Sequence, residues 1–201
     1  MDFSLIKQLM ALNIAIYKNE TIPGWNIINT FEHENGLFMC LYKKDKTVLV
    51  IRGTDNKIDV NNDRAMIIDK APAQSYHAQI IYDKIKDPNI IFTGHSLGGS
   101  LANFLCQQYG NKTISFAPYG GFPKGDANCI NIGSEADLIY TIDIHSCPGV
   151  SYLIPYSKSR CPLIKDGKII KSALVSRIQN YSPSQHFIQN WEDVTKIVNY
   201  K

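Results

Sequence analysis

Between Gly94 and Gly98 the chain reads Gly-His-Ser-Leu-Gly, and the segments on either side of that pentapeptide limit the fold more than any other feature. Asn89 to Thr93 is a short apolar run, as expected of a strand buried on both faces. Gly98 to Tyr109 has helical periodicity and is stopped by Gly110 and Asn111. A glycine, any residue, a serine, any residue and a glycine between a buried strand and a helix describe a sharp turn that lifts one hydroxyl above a sheet. Side chains two residues to either side of the serine would collide across so tight a turn. The helix that follows aims its N-terminus at the hydroxyl, where its dipole and the Leu97 N–H can stabilise a developing oxyanion. The bare pentapeptide is a weak signal, and its placement is what makes it specific.

The surrounding pattern fits one α/β domain spanning residues 1–201. Lys112 to Ala117 and Ala127 to Ile132 read as further buried strands, so strand, helix and strand alternate through the middle of the chain. That is the signature of a parallel sheet with crossover helices. Upstream, an amphipathic helix reaches about Tyr17, and two β-type runs follow the Pro23-Gly24 break, Gly36 to Lys43 and Thr47 to Arg52. Ala73 to Lys86 predicts a helix ending at Asp87-Pro88. Ile144 to Asp166, with three prolines, reads as irregular, and Ser184 to Tyr200 as a closing amphipathic helix. No repeat or linker divides the 201 residues.

Composition narrows the function classes. With 44% hydrophobic and 19% charged residues the chain can fill one core. A net charge of +3 allows transient contact with an anionic membrane surface, but no basic stripe announces nucleic acid. Apolar stretches are too short to span a bilayer. The first residues open with Asp2 and have helical spacing, which predicts no cleaved signal peptide and a protein that is cytoplasmic or exported by another route. Five scattered cysteines without a CxxC pair fit reduced thiols, with Cys147 and Cys161 able to pair if the protein is exported. Nothing calls for a metal or cofactor.

The nonapeptide Gly94-His-Ser-Leu-Gly-Gly-Ser-Leu-Ala102 resembles the elbow of the class 3 lipases, the fungal lipase-like group of α/β-hydrolases. Val48-Leu-Val-Ile-Arg-Gly-Thr54 resembles that family's strand ending in Arg-Gly-Ser/Thr, and His77 resembles a histidine of the helix before the elbow. The match is good from Leu37 to Pro118 and loose elsewhere. It implies the α/β-hydrolase fold, a mostly parallel central sheet with helices on both faces. It also implies a lipase- or phospholipase-type ester hydrolase with Ser96 as nucleophile and Thr54 and Leu97 as the oxyanion hole.

Serine at its ordinary pKa needs a base, and the base needs an orienting acid, in the chain order Ser, Asp/Glu, His. Only His145 and His186 follow Ser96. His186 stands where the family carries its base, while His145 sits in an irregular segment. Asp137 follows a buried strand in the family's strand, Asn, loop, Asp pattern, with Glu135 and Asp143 as competitors. The usual Val-Pro continuation after that Asp is missing. Read on their own, Arg52 is a structural ion-pair residue and Thr54 a turn residue with a hydroxyl and an N–H to offer. Asn56 to Pro72 mixes apolar residues with charges of both signs, and reads either as a small lid or as a loop leading into a helix. Two other functions fit the same residues: a soluble esterase or thioesterase acting on small substrates, and a non-catalytic binding module of the same fold.

Overall fold

A computed structural model describes residues 2–53, 60–119, 128–134, 137, 147, 149–154, 164–165, 168–169 and 198–200. For 60–72 and for the strand residues from 154 onward it describes the backbone alone. The first helix, α1 (Phe3–Lys18), begins where the Asp2 carboxylate accepts the Leu5 N–H at 3.0 Å. It ends at Asn19 in the left-handed region with φ 54°. Leu5, Ile6, Leu9, Leu12 and Ile16 recur at helical spacing and are all buried.

Strands β1 (Asn26–Glu32), β2 (Phe38–Lys43) and β3 (Thr47–Ile51) form an antiparallel meander. The chain then crosses through α2 (Val60–Ile85) to β4 (Ile91–His95), and through α3 (Leu97–Tyr109) to β5 (Thr113–Phe116). Next come β6 (Cys129–Ser134) and β7 (Val150–Ile154), then the short strands β8 (Ile164–Lys165), β9 (Lys168–Ile169) and β10 (Val198–Tyr200). One sheet runs in the order β1-β2-β3-β4-β5-β6-β7-β10, and β8 pairs with β9 in a separate ribbon. The five strands from β3 to β7 are mutually parallel, and β10 closes the edge antiparallel to β7.

Alternation along the strands divides the core between the two faces. Cys40, Tyr42, Val48 and Val50 pack with α1, whereas Met39, Leu41, Leu49 and Ile51 pack with α2 and α3. Helices therefore cover both faces of a mostly parallel sheet, as the resemblance implies. Among the described residues no helix is long and apolar enough to cross a membrane.

Six elements depart from the sequence reading, counting the short strands β8 and β9, which it did not mark. β1 was not foreseen; most of it is exposed, so it carries no buried alternation. β7 lies inside the stretch read as irregular, and Val198–Tyr200 is strand where a helix was expected. The helix expected from Ala73 begins at Val60 and runs through Pro72. Proline costs an interior helix a hydrogen bond and favours the first turn, so the sequence alone places the start there. Residues 60–72 are thus neither a loop nor a separate helix, and 56–59 fall outside the described residues.

Candidate active site

Parallel strands bring all their carboxyl ends to one edge, where an open α/β sheet carries its ligand site. The register aligns Ile51 of β3 with Gly94 of β4, His95 with Phe116 of β5, and Phe116 with Ile132 of β6. The residues just beyond these positions, Gly53, Ser96, Ala117 and Asp137, follow the ends of four successive strands.

Ser96 is the hinge between β4 and α3. Its backbone sits at φ 58°, ψ −128°, a region sparsely populated by residues other than glycine. Such a conformation costs on the order of 1–3 kcal/mol, so the surroundings must impose it. They do so through the Ser96 N–H, which donates to Phe116 O at 2.9 Å, and through the Ser100 N–H, which donates to Ser96 O at 3.1 Å. Serine at a helix start usually caps it with its hydroxyl, but the Ser96 side chain makes no capping bond. The Leu97 N–H is among the first amides of α3, which have no acceptor within their own helix.

The two glycines of the motif are required for different reasons. A Cβ on Gly94 would strike the Gly98 carbonyl across the turn, the collision the sequence predicts. A Cβ on Gly98 would instead strike Ile51 O and lie 2.7 Å from the Ile51 carbonyl carbon. Gly98 thus lets the start of α3 lie directly on the end of β3. Ser100 completes the turn: its hydroxyl donates to Tyr119 O at 3.0 Å and accepts the Tyr119 N–H at 2.8 Å. That clasp fixes the chain leaving β5 against α3.

Gly53 lies against the elbow, since a Cβ there would be 3.2 Å from the Ser96 Cβ and 2.6 Å from His95 O. Thr54, the next residue, lies outside the described residues. Arg52, read from sequence as an ion-pair residue, has its guanidinium 4.6 Å above the Phe38 ring.

Asp137 is fully buried, and its N–H donates to Ser134 O at 2.9 Å in the turn that leaves β6. A carboxylate without solvent contact is costly unless hydrogen-bonded or paired, which marks it as a residue placed for a partner. Behind it Asn131 acts as a hub, its Oδ1 accepting from Asn103 Nδ2 at 2.7 Å and Ser115 Oγ at 2.8 Å. The strand that leads to Asp137 is thereby keyed to the helix that follows Ser96. Glu135, Asp143, His145 and His186 lie outside the described residues, as does Cys161. Cys147 is buried with its Sγ 3.6 Å from Pro118 O.

Two residues acquire roles that the sequence did not assign them. Tyr17, on the core side of α1, accepts the Gly53 N–H at 3.0 Å and lies 3.2 Å from Nδ1 of His95 through the same hydroxyl. The available signal was chemical: a half-buried tyrosine in an apolar stripe needs a partner for its hydroxyl. His77, matched by resemblance, sits well inside α2 and stacks on His33 at 3.7 Å between ring centroids.

No family model matches the sequence, and no curated protein matches it. Solved structures do. A deletion mutant of Rhizomucor miehei lipase in a propeptide complex superposes with a TM-score of 0.59 at 15% identity, over 93% of this chain and 78% of the other. The lipase from Rhizopus microsporus var. chinensis gives 0.59 at 14% identity over 91% and 86%. Lipase II from Rhizopus niveus gives 0.58 at 16% identity over 92% of both chains. At such identities the likeness is one of fold. The chain has the α/β-hydrolase fold, and its structural neighbours are fungal lipases.

Proposed function

We propose that a chain with this fold is a serine hydrolase that cleaves carboxylic esters of lipids, of lipase or phospholipase A type, through an acyl-enzyme. The observation that carries the reading is Ser96, held at positive φ between β4 and α3 at the carboxyl edge of the parallel sheet. Strain of that kind persists where a site requires it. The neighbours' names as lipases support a lipid ester as substrate class.

In this mechanism Ser96 Oγ attacks the ester carbonyl while His186 takes its proton. The carbonyl oxygen becomes an oxyanion facing the Leu97 N–H and Thr54. Collapse of the tetrahedral intermediate breaks the bond to the alcohol, which leaves with the proton returned by His186. Water then attacks the acyl-serine by the same route, releasing the fatty acid. Asp137, buried behind the strand ends, orients His186 and stabilises the imidazolium. The whole chain, residues 1–201, forms one domain in this reading.

The test is turnover of a panel of p-nitrophenyl esters, triacylglycerols and phospholipids, beside Ser96→Ala and labelling with a fluorophosphonate. Hydrolysis of long-chain lipid esters, absent in Ser96→Ala, with label on Ser96 alone, is the expected result. Turnover confined to short soluble esters would move the substrate class to that of a small-molecule esterase. Wild-type rates in purified Ser96→Ala would remove the serine, and no turnover or labelling at all would leave a binding module.

A further inference from the structure

The β3–β4 ladder registers its last pair at Ile51 and Gly94. Past that pair, Arg52 and Ser96 turn to their outer neighbours, the Arg52 N–H donating to Phe38 O and the Ser96 N–H to Phe116 O, while His95 pairs with Phe116 of β5. A link between the two segments, Arg52-Gly53 and His95-Ser96, comes from α1. Tyr17 reaches across from α1, and its hydroxyl oxygen accepts the Gly53 N–H at 3.0 Å while lying 3.2 Å from His95 Nδ1. The rings of Tyr17 and His95 meet edge to face, with centroids 5.8 Å apart and planes at 76°. His95 is buried, so the contact is sheltered from solvent.

We propose that Tyr17 is a positioning residue for ester hydrolysis, its hydroxyl locking the strand end that leads into the oxyanion residues onto the strand end that bears the nucleophile. The proposal rests on the serine-hydrolase reading above. Its logic is geometric. An oxyanion donor at Thr54, next in the chain to Gly53, must keep a fixed separation from the Ser96 hydroxyl that follows β4, because donors stabilise the intermediate only at hydrogen-bond distance from where its oxygen forms. Gly53 lacks a side chain of its own to hold it there, and a Cβ at that position would overlap the space the tyrosine hydroxyl occupies. The tyrosine also engages the Gly53 N–H, so that amide serves the scaffold and is not an oxyanion donor. Neither His95 nor Gly53 touches the reacting atoms in this scheme. Tyr17 acts through both.

Y17F removes the hydroxyl and keeps the ring, and Y17A removes both. The readouts are active-site titration with a fluorophosphonate and steady-state kinetics on one p-nitrophenyl ester, normalised to the titrated fraction. In Y17F the expected result is labelling to wild-type stoichiometry, kcat lowered roughly 10- to 100-fold, and KM within about threefold of wild type, the split expected of a misplaced oxyanion donor. A Y17F kcat equal to wild type, with only Y17A impaired, would reduce Tyr17 to core packing and overturn the proposal. Wild-type protein that neither turns over the ester nor takes the label would instead sink the hydrolase reading, and this inference with it. If Y17F folds too poorly to titrate, amide exchange in the wild type reads the same contact: Gly53 N–H protected as well as Ile51 N–H supports the clamp, and free exchange at Gly53 refutes it.

Discussion

At the scale of single residues, the two ends of α3 hold glycines whose replacement would be costly for different reasons. At Gly98 the obstacle to a side chain is the backbone of β3, which cannot move without breaking its ladder to β4. At Gly110, the C-cap of α3, nothing lies within 4 Å of a Cβ, and the only obstacle is φ +76°. The two alanine variants should separate steric from conformational cost. Gly110→Ala should lose about 1 kcal/mol, the penalty of a left-handed alanine. Gly98→Ala should lose several times that, on the order of 3–5 kcal/mol, in the range of severe overpacking. Urea unfolding of both proteins measures the difference. Equal losses would mean that α3 can slide away from β3, and that the contact does not demand a glycine. Gly98 was legible in the sequence as a requirement of the motif and Gly110 as a helix stop, but the reason for Gly98 was not, because its obstacle lies more than forty residues away along the chain.

At the scale of elements, what the sequence disclosed depended on whether a segment's own burial left a period to read. β3 and β4 are buried throughout, and α1 shows one apolar stripe, so their residues announce them. β1 is mostly exposed and β7 is five residues set between Pro148 and Pro155, so neither has a period that stands out from a loop. The same limit hid the polar joint between α3 and β6. Asn103, Ser115 and Asn131 are each fully or almost fully buried, yet nothing local says that they face one another. Their geometry predicts an asymmetry. Asn131→Ala removes one acceptor and strands two buried donors, which should cost about 2–6 kcal/mol at roughly 1–3 kcal/mol for each unsatisfied group. Asn103→Ala or Ser115→Ala removes one donor and leaves Asn131 Oδ1 with the other, and should cost about 1 kcal/mol. Chemical denaturation of the three variants decides it. Were Asn131→Ala the mildest of the three, the hub would be misassigned and the link from α3 to β6 would have to run elsewhere.

At the scale of the whole molecule, one sheet begins at residue 26 and is completed at residue 200, so its two edges come from opposite ends of the chain. Sequence reading finds the middle of such a sheet and loses its margins. Val198 to Tyr200 have apolar spacing that suits a helix as well as a strand; what decides for strand is an edge of β7 waiting for a partner, which is a long-range fact. Val198 pairs with Leu153, Asn199 with Tyr152 and Tyr200 with Ser151. Deleting residues 198–201 should therefore act on the whole sheet. A three-residue antiparallel pair contributes a few ladder hydrogen bonds, each worth about 0.5–1.5 kcal/mol net, so a loss of roughly 2–3 kcal/mol is expected. For a chain of this length that lowers the thermal midpoint by about 4–12 °C. The bared edge of β7 would also offer unpaired N–H and C=O groups to a second copy, so the truncated protein should associate more strongly as its concentration rises. Because β10 closes the same sheet that β4 and β5 centre, calorimetry should show one transition moved downward, with no second transition split from it. A truncated protein that melts at the wild-type temperature and stays monomeric would show that β10 does not belong to the sheet in solution. Two separate transitions would instead place a domain boundary between β6 and the end of the chain, and the single-domain reading would fall.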